Sequence, residues 1–396
     1  MYILLTPDFK PKTGGIAEYL HQLWQQLAQS GDALVFTSVP QTAEPLDQAY
    51  ELRPLPDAPT LAPDASPGQA ALHLLQLRRY AQALVAQLQP YLDQQPEIFI
   101  GVWRPLTHFW CQALAQQQIP YSLFTYGLEL LYPPSDQALQ WRQADFAQAR
   151  RLYACSHQTA ELVQQRLGPE RPISAIMPGA EIRSDLGDIQ ARAATLSQQL
   201  GQRRLVLSVG RLVARKGHEL VIQSLPALRQ RFPELHYVIA GDGEHRPALE
   251  ALVQQLGLEE AVTFLGQVDD LTKEALYSLC EVFAMPNRPL GGTDWEGFGI
   301  VFLEAALWAK PSIGGGHGGT LDAIDDGVTG LLVETKNDYR PTQTALAILL
   351  SRPSLGQRLG LAAQARARQT FTWQNAGQQL AASLATHSLS TAPSHP

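Results

Sequence analysis

Cysteine is scarce. Three residues, Cys111, Cys155 and Cys280, lie far apart, with no CxxC pair and no even-numbered framework. That spacing excludes a disulfide scaffold and a zinc ribbon, and it fits a reducing cytosol. Long apolar runs are missing too. None approaches the roughly 18 residues needed to span a bilayer, and the opening "MYILLTPDFK" is too short for a signal peptide. There is no basic excess: 30 Lys and Arg stand against 37 Asp and Glu, a net charge of −7. The footprint of a nucleic-acid binder is therefore absent. HExxH, a DxD at a strand end and GxSxG do not occur, which removes the common zinc-protease, metal-dependent transferase and serine-hydrolase signatures. No short-period repeat is visible.

What remains is ordinary for a globular chain, with 45% apolar and 17% charged residues. At 396 residues it is too long for one core, so two domains are expected. Short apolar runs alternate with helix-period segments throughout. Strands are predicted at 2–6, 34–38, 97–102, 121–126, 152–155 and 173–177, then at 205–209, 237–240, 262–265, 282–285, 312–314 and 331–333. Helices are predicted between them, including 16–29, 72–89, 219–231, 247–256 and 299–309. Continuous apolar strands separated by helices mean parallel sheets covered on both faces. Two such halves give an α/β protein of two Rossmann-like, doubly wound domains. The border is expected in the polar, strandless stretch 182–203. "DAPTLAPDASPGQ", 57–69, reads as an excursion inside the first domain.

Ligands of open parallel sheets bind beyond the carboxyl ends of the strands, so the candidates lie there. After the first strand comes "KTGGIAEYL", where Gly14 and Gly15 open a helix. They suit either a tight turn or a backbone brought close to an anion. "SVGRLVARKGHEL" places Arg211, Arg215 and Lys216 after a strand and before a helix. They form either a solvated loop or a clamp for a departing diphosphate. In "AGDGEHRPALE", Asp242 is read as a turn residue, and the adjacent carboxylates of "VDDL", 268–271, as a helix N-cap. "GGTDWEGFGIVFLEAALWAKPSIGG" is the most specific stretch. Glu296 precedes a helix opened by Gly297 and Gly299. Glu304 sits inside that helix among apolar neighbours, where a carboxylate needs a cation partner, an exposed stripe or a ligand. "GGGHGGTLDAI" puts His317 among five glycines, a loop of close backbone approach whose histidine reads as solvent-facing.

Taken together, "GRLVARKG", "AGDG" and "EGFGIVFLEA" resemble the family 4 retaining glycosyltransferases of GT-B fold, in particular the subgroup of phosphatidylinositol mannosyltransferases. The glutamates Glu296 and Glu304, with seven residues between them, match that family's signature. The resemblance implies two domains facing an interdomain crevice: 1–185 on the acceptor side, 186–370 holding the nucleotide sugar, a helix at 371–388 crossing back to the first domain, and a disordered tail at 389–396. It implies that Arg211 and Lys216 hold the diphosphate and that Gly15 approaches it. Glu304 would take the ribose diol, Glu296 the transferred sugar, and Gly297, Phe298 and Gly299 would offer backbone contacts. Gly266 to Val268 would meet the base. Glu296, Arg211, Lys216 and Tyr126 are the catalytic candidates. The reaction implied is hexose transfer from a UDP- or GDP-sugar to a lipid, glycan or small-molecule acceptor, by a metal-independent front-face route with no cofactor beyond that co-substrate.

The chain departs from the pattern at "FTYGLELL". Relatives place a histidine before the glycine, and here Tyr126 stands there. With a pKa of about 10, it is a poor base at neutral pH. "GGTLD" also replaces "GGVPE". A sugar-nucleotide epimerase, or a donor-binding protein without catalysis, is the alternative. Glu129 is a candidate acceptor contact. "WRPLTHFW" could line the acceptor side, with His108 read as a packed helix-start residue. No nucleic-acid partner is expected. The chain should be cytoplasmic, and contact with the inner membrane face rests on "ALHLLQLRRYAQALVAQLQ". There a core-facing helix is preferred over an interfacial one bearing Arg78 and Arg79.

Overall fold

The computed structural model describes residues 1–12, 14–38, 49–62, 66–131, 135–201, 203–291, 294–334, 336 and 338–385. The chain forms two compact units, Met1–Met177 with Trp373–Pro396, and Pro178–Thr372.

The first unit is built on a seven-stranded sheet. Its strands are β1 (Tyr2–Thr6), β2 (Ala33–Thr37), β3 (Glu51–Pro54), β4 (Glu97–Ile100), β5 (Tyr121–Thr125), β6 (Arg151–Ala154) and β7 (Ile173–Ala175), in the order β3-β2-β1-β4-β5-β6-β7. Every pairing is parallel. The second unit holds β8 (Arg204–Val209), β9 (Leu235–Ala240), β10 (Val262–Gly266), β11 (Val282–Met285), β12 (Ser312–Gly315) and β13 (Gly330–Val333), ordered β10-β9-β8-β11-β12-β13 and again all parallel. In each sheet the order reverses beside the first strand of the unit, at β1/β4 and at β8/β11. Those switch points are where an open α/β sheet leaves a ligand crevice at the strand ends.

The strand expectations fall on twelve of these elements, within two residues at nearly every end. The thirteenth, β3, was missed because "ELRP" has neither an apolar run nor alternation. It lies at the sheet edge, mostly exposed, and ends in a proline that an edge strand tolerates. Among its described residues the stretch 182–203 is strandless, as read, yet it carries a helix, Leu186–Gln199. The excursion at 57–69 closes sooner than its composition suggests. Ser66 starts the helix Pro67–Leu92 with a capping box, its backbone N–H donating to the Gln69 side chain at 2.8 Å.

Aromatic rings fill the first core. Trp24 meets Phe99 edge-on at 5.2 Å, and Phe124 lies 5.2 Å from Tyr153. Trp24 comes from the helix Gly15–Leu27, whose buried Ala17, Leu20, Leu23, Trp24 and Leu27 keep helical spacing. The helix Trp373–Ala385 packs on that same helix, with Gly377 above Gln26. In the second core Val206, Tyr237 and Ile239 of the sheet pack with Val221, Leu225 and Leu249 of the covering helices.

The unit border lies at Met177/Pro178, ahead of the expected 185/186, for a local reason. The Ala180 N–H donates to the Phe371 carbonyl at 3.0 Å. The Arg183 and Ser184 N–H groups donate to the buried Glu274 carboxylate at 2.7 and 3.1 Å. These bonds tie 178–185 to the second unit. The end of the expected crossing helix and the tail at 389–396 lie outside the described residues.

Candidate functional site

The loop after β8 is shaped by two glycines. Gly210 has φ 146° and Gly217 has φ 73°. A Cβ on Gly217 would stand 2.2 Å from the Pro286 carbonyl oxygen, so only glycine lets this loop pass the segment after β11. Between them a 3-10 turn, Ala214–Lys216, directs Arg215 and Lys216 inward. Arg215 Nη1 donates to Glu296 Oε2 at 2.6 Å, and Lys216 Nζ donates to the same oxygen at 2.7 Å. Arg211 is exposed and forms no ion pair among the described residues.

Glu296 is 7% exposed. Burial alone would raise its pKa, but Lys216 and Arg215 outweigh that and hold it at about 2. It is a carboxylate at any physiological pH. Lys216 is pushed down by burial and by the nearby Arg215 and Arg211 charges, against the upward pull of Glu296. His317 is half-buried. Burial lowers its pKa to about 4, with Glu296 opposing and the two cations assisting, so its ring is neutral at pH 7.

The glycine loop is the cradle of Glu296. Gly319 N–H donates to the Glu296 carbonyl at 2.7 Å. A Cβ on Gly319 would lie 2.0 Å from the Gly297 carbonyl oxygen, and one on Gly318, where φ is 59°, 2.7 Å from that of Glu296. Asn287, buried after β11, stitches the same loop. Its Nδ2 donates to Thr320 Oγ1 at 2.8 Å, and its Oδ1 accepts from Gly315 N–H at 3.1 Å. The close backbone approach read from "GGGHGG" is thus borne out, and its target is the loop Glu296–Gly297.

Gly299, with φ 90°, opens the helix Ile300–Leu307. Phe298 is buried and meets Phe371 edge-on at 5.5 Å. Within that helix Glu304 has the cation partner that the sequence left open. Oε1 accepts from Lys273 Nζ at 3.0 Å and Oε2 from Tyr277 Oη at 2.8 Å. Both donors stand one turn apart on the helix Asp270–Leu279, N-capped by Asp269 as read. Gly266, with φ 68°, and the half-buried Val268 lead into that helix. Asp242 is a turn residue, as read, accepting from the Gly243 N–H at 2.8 Å.

Replacing Tyr277 by phenylalanine removes the donor to Glu304 Oε2. We expect a loss of about 1–2 kcal/mol in stability, read as a lower melting temperature. A melting temperature equal to the parent's would show that the bond contributes nothing.

In the first unit, Gly14 takes φ 145°. Gly15 has no packing reason to be glycine among the described residues, because a Cβ there meets nothing within 4 Å. Tyr126 directly follows β5. Its hydroxyl donates to the Gly101 carbonyl at 2.9 Å, its ring meets Tyr19 edge-on at 5.9 Å, and it is buried. Burial pushes the phenol well above its ordinary pKa. Its hydroxyl proton and its ring are both engaged in contacts within the first unit. Glu129 accepts from the Tyr126 N–H at 2.7 Å and from Thr125 Oγ1, closing the end of β5. His108 is packed, as read: it stacks on Trp141 at 4.5 Å and bonds Asp145 at 2.9 Å.

Sequence reading missed the partners. Arg215 was seen as one of three cations but not as the ligand of Glu296. Lys273 and Tyr277 carried one usable signal, a spacing of four on a helix that puts both on one face.

Comparison with known proteins fits this geometry. The family model for glycosyl transferases group 1 matches residues 196–366, and that for the glycosyl transferase 4-like domain matches 14–179. With both units matched, the chain belongs to this family of glycosyltransferases. Within it, the chain is similar to a GDP-mannose-dependent alpha-(1-6)-phosphatidylinositol monomannoside mannosyltransferase of Mycolicibacterium smegmatis, 28% identical over 96% of this chain and 97% of that one. The Mycobacterium tuberculosis enzyme of the same name is 34% identical over 55% of this chain and 56% of its own length. Among solved structures, sucrose-phosphate synthase from Thermosynechococcus elongatus superposes with a TM-score of 0.78 at 22% identity, covering 98% of this chain and 99% of that one. Anabaena HepE in complex with UDP gives 0.74 at 22% identity, covering 98% and 100%. These two likenesses establish the fold, GT-B.

Proposed function

We propose that this glycosyltransferase moves a hexose from a GDP- or UDP-sugar to a lipid, glycan or small-molecule acceptor with retention of anomeric configuration. The observation that carries the reading is the ionised, buried Glu296, held by Arg215 and Lys216 at the opening of the helix that bears Glu304.

In this reading Arg211 and Lys216 neutralise the diphosphate as it departs. Glu296 accepts hydrogen bonds from hydroxyls of the transferred sugar, aided by backbone groups of Gly297, Phe298 and Gly299. Glu304 accepts from the ribose diol, and Gly266 to Val268 flank the base. The bond from the anomeric carbon to the diphosphate oxygen breaks, and a bond from the acceptor oxygen to that carbon forms on the same face. The acceptor proton passes to the leaving phosphate, so Tyr126 is not needed as a base.

GDP-mannose is the donor to test first, because two relatives are named for it. Calorimetry with GDP, UDP and ADP should give one clearly preferred nucleotide. The product of transfer should keep the donor's anomeric configuration by NMR; an inverted product would overturn the mechanism. An epimerised donor in the absence of acceptor would favour the alternative enzyme class.

Membrane contact belongs to the same proposal. Among the described residues no helix is long and apolar enough to cross a bilayer. The helix Pro67–Leu92 buries Leu77, Tyr80, Leu84 and Leu88 but leaves Leu72 and Leu75 more than half exposed near the exposed Arg78 and Arg79. Such a face suits an anionic lipid surface. The chain should float with anionic vesicles, and a Leu72→Asp/Leu75→Asp variant should lose most of that capture. Parent protein left in the pellet would reject contact.

A further inference from the structure

Two cations on one carboxylate oxygen are more than Glu296 needs, and one is also required elsewhere. Arg215 and Lys216 both bind Oε2, while Oε1 has no partner among the described residues. Arg211, Arg215 and Lys216 together outnumber Glu296 by two charges, which matches the about two negative charges of a nucleotide-sugar diphosphate. If Lys216 turns to that diphosphate, Glu296 must either keep another counter-ion or stand buried and unpaired beside incoming negative charge.

We infer that Arg215 is the standing counter-ion of Glu296, a positioning residue that keeps this carboxylate ionised and releases Lys216 to the donor. The inference rests on the diphosphate reading given above. Local structure favours Arg215 as the one that stays. Its carbonyl accepts from the Arg288 N–H at 2.8 Å, and the Arg288 guanidinium is itself bonded to Glu219, so the segment after β11 fixes the Arg215 backbone. Its planar guanidinium can close on both carboxylate oxygens once Lys216 leaves, whereas an ammonium exchanges oxygen partners as a point charge. Lys216 then serves two anions in turn.

A double-mutant cycle on nucleotide binding tests this. The probes are GDP and UDP, the readout is calorimetric Kd, and melting temperature verifies each fold. In the parent background, Arg215→Met leaves Glu296 holding Lys216, and the Kd of the preferred nucleotide should rise about tenfold. In a Glu296→Gln background Lys216 is already free, and Arg215→Met should raise Kd less than about twofold. Arg215→Lys should recover most of the parent affinity. An equal loss in both backgrounds would mean that Arg215 grips the phosphate directly, and no loss in either would mean that it does not bear on Lys216. Both results overturn the inference. Lys216→Met separates this from the underlying reading: unchanged nucleotide affinity in that variant removes Lys216 from the diphosphate, whatever Arg215 does.

Discussion

Glu296→Gln should lower kcat by about 10² to 10³, the scale of losing one preorganised electrostatic group at a reacting centre, while nucleotide affinity is retained or improved. The two effects separate because the carboxylate has two relations. In the proposed reading Oε1 accepts from the sugar, and its attraction grows as the anomeric centre becomes cationic; an amide reproduces its shape without that charge. Towards the protein, Oε2 holds Arg215 and Lys216, and an amide frees Lys216 for the phosphates. Transfer measured with labelled donor, beside calorimetry with the nucleotide, resolves the two. Undiminished transfer would remove Glu296 from the chemistry. Stability gives a second readout. The folded-state pKa of Glu296 lies at about 2, below its ordinary 4.5. Its stabilising contribution is therefore present above pH 4.5 and is lost as pH falls towards 2. The melting-temperature gap between parent and Glu296→Gln should close over that window.

Gly319→Ala should cost more in stability than any surface change, about 3–5 kcal/mol by the scale of severe overpacking. The added methyl would enter 2.0 Å from the Gly297 carbonyl oxygen, with the Gly297 carbonyl carbon and Phe298 Cα at 2.5 and 2.6 Å. All three are backbone atoms, which cannot rotate away as a side chain would. The loop must move, and the Gly319 N–H bond to the Glu296 carbonyl goes with it. Urea titration gives the stability loss. Activity at a temperature where the variant is folded gives the displacement of Glu296. Parent-like values in both would show that the loop yields easily.

What could be read beforehand follows from the range of the interactions. Buried parallel strands announce themselves through contiguous apolar residues, so β9 and β11 were legible. The seven-residue interval of Glu296 and Glu304 was legible because one loop and one helix carry both. β3 was not, since its place comes from pairing with β2 rather than from its own composition. The partners of the carboxylates were not either: Arg215 lies 81 residues from Glu296 and Tyr277 lies 27 from Glu304, distances over which no local period operates. Tyr126 is a third case. Its position was read through a resemblance, while the Gly101 carbonyl that occupies its hydroxyl is a tertiary contact.

The two units are made from the chain in different ways, and this bears on synthesis. The second is one continuous stretch, Pro178–Thr372, whereas the first needs Trp373 onward to finish it. On a ribosome the amino-terminal sheet emerges early, yet the helix Gly15–Leu27 waits for its neighbour Trp373–Ala385 until the whole second unit has been made. The later-made unit can thus reach its native state first. Truncation ahead of Trp373 should leave it intact while exposing the waiting helix, a natural target for chaperones.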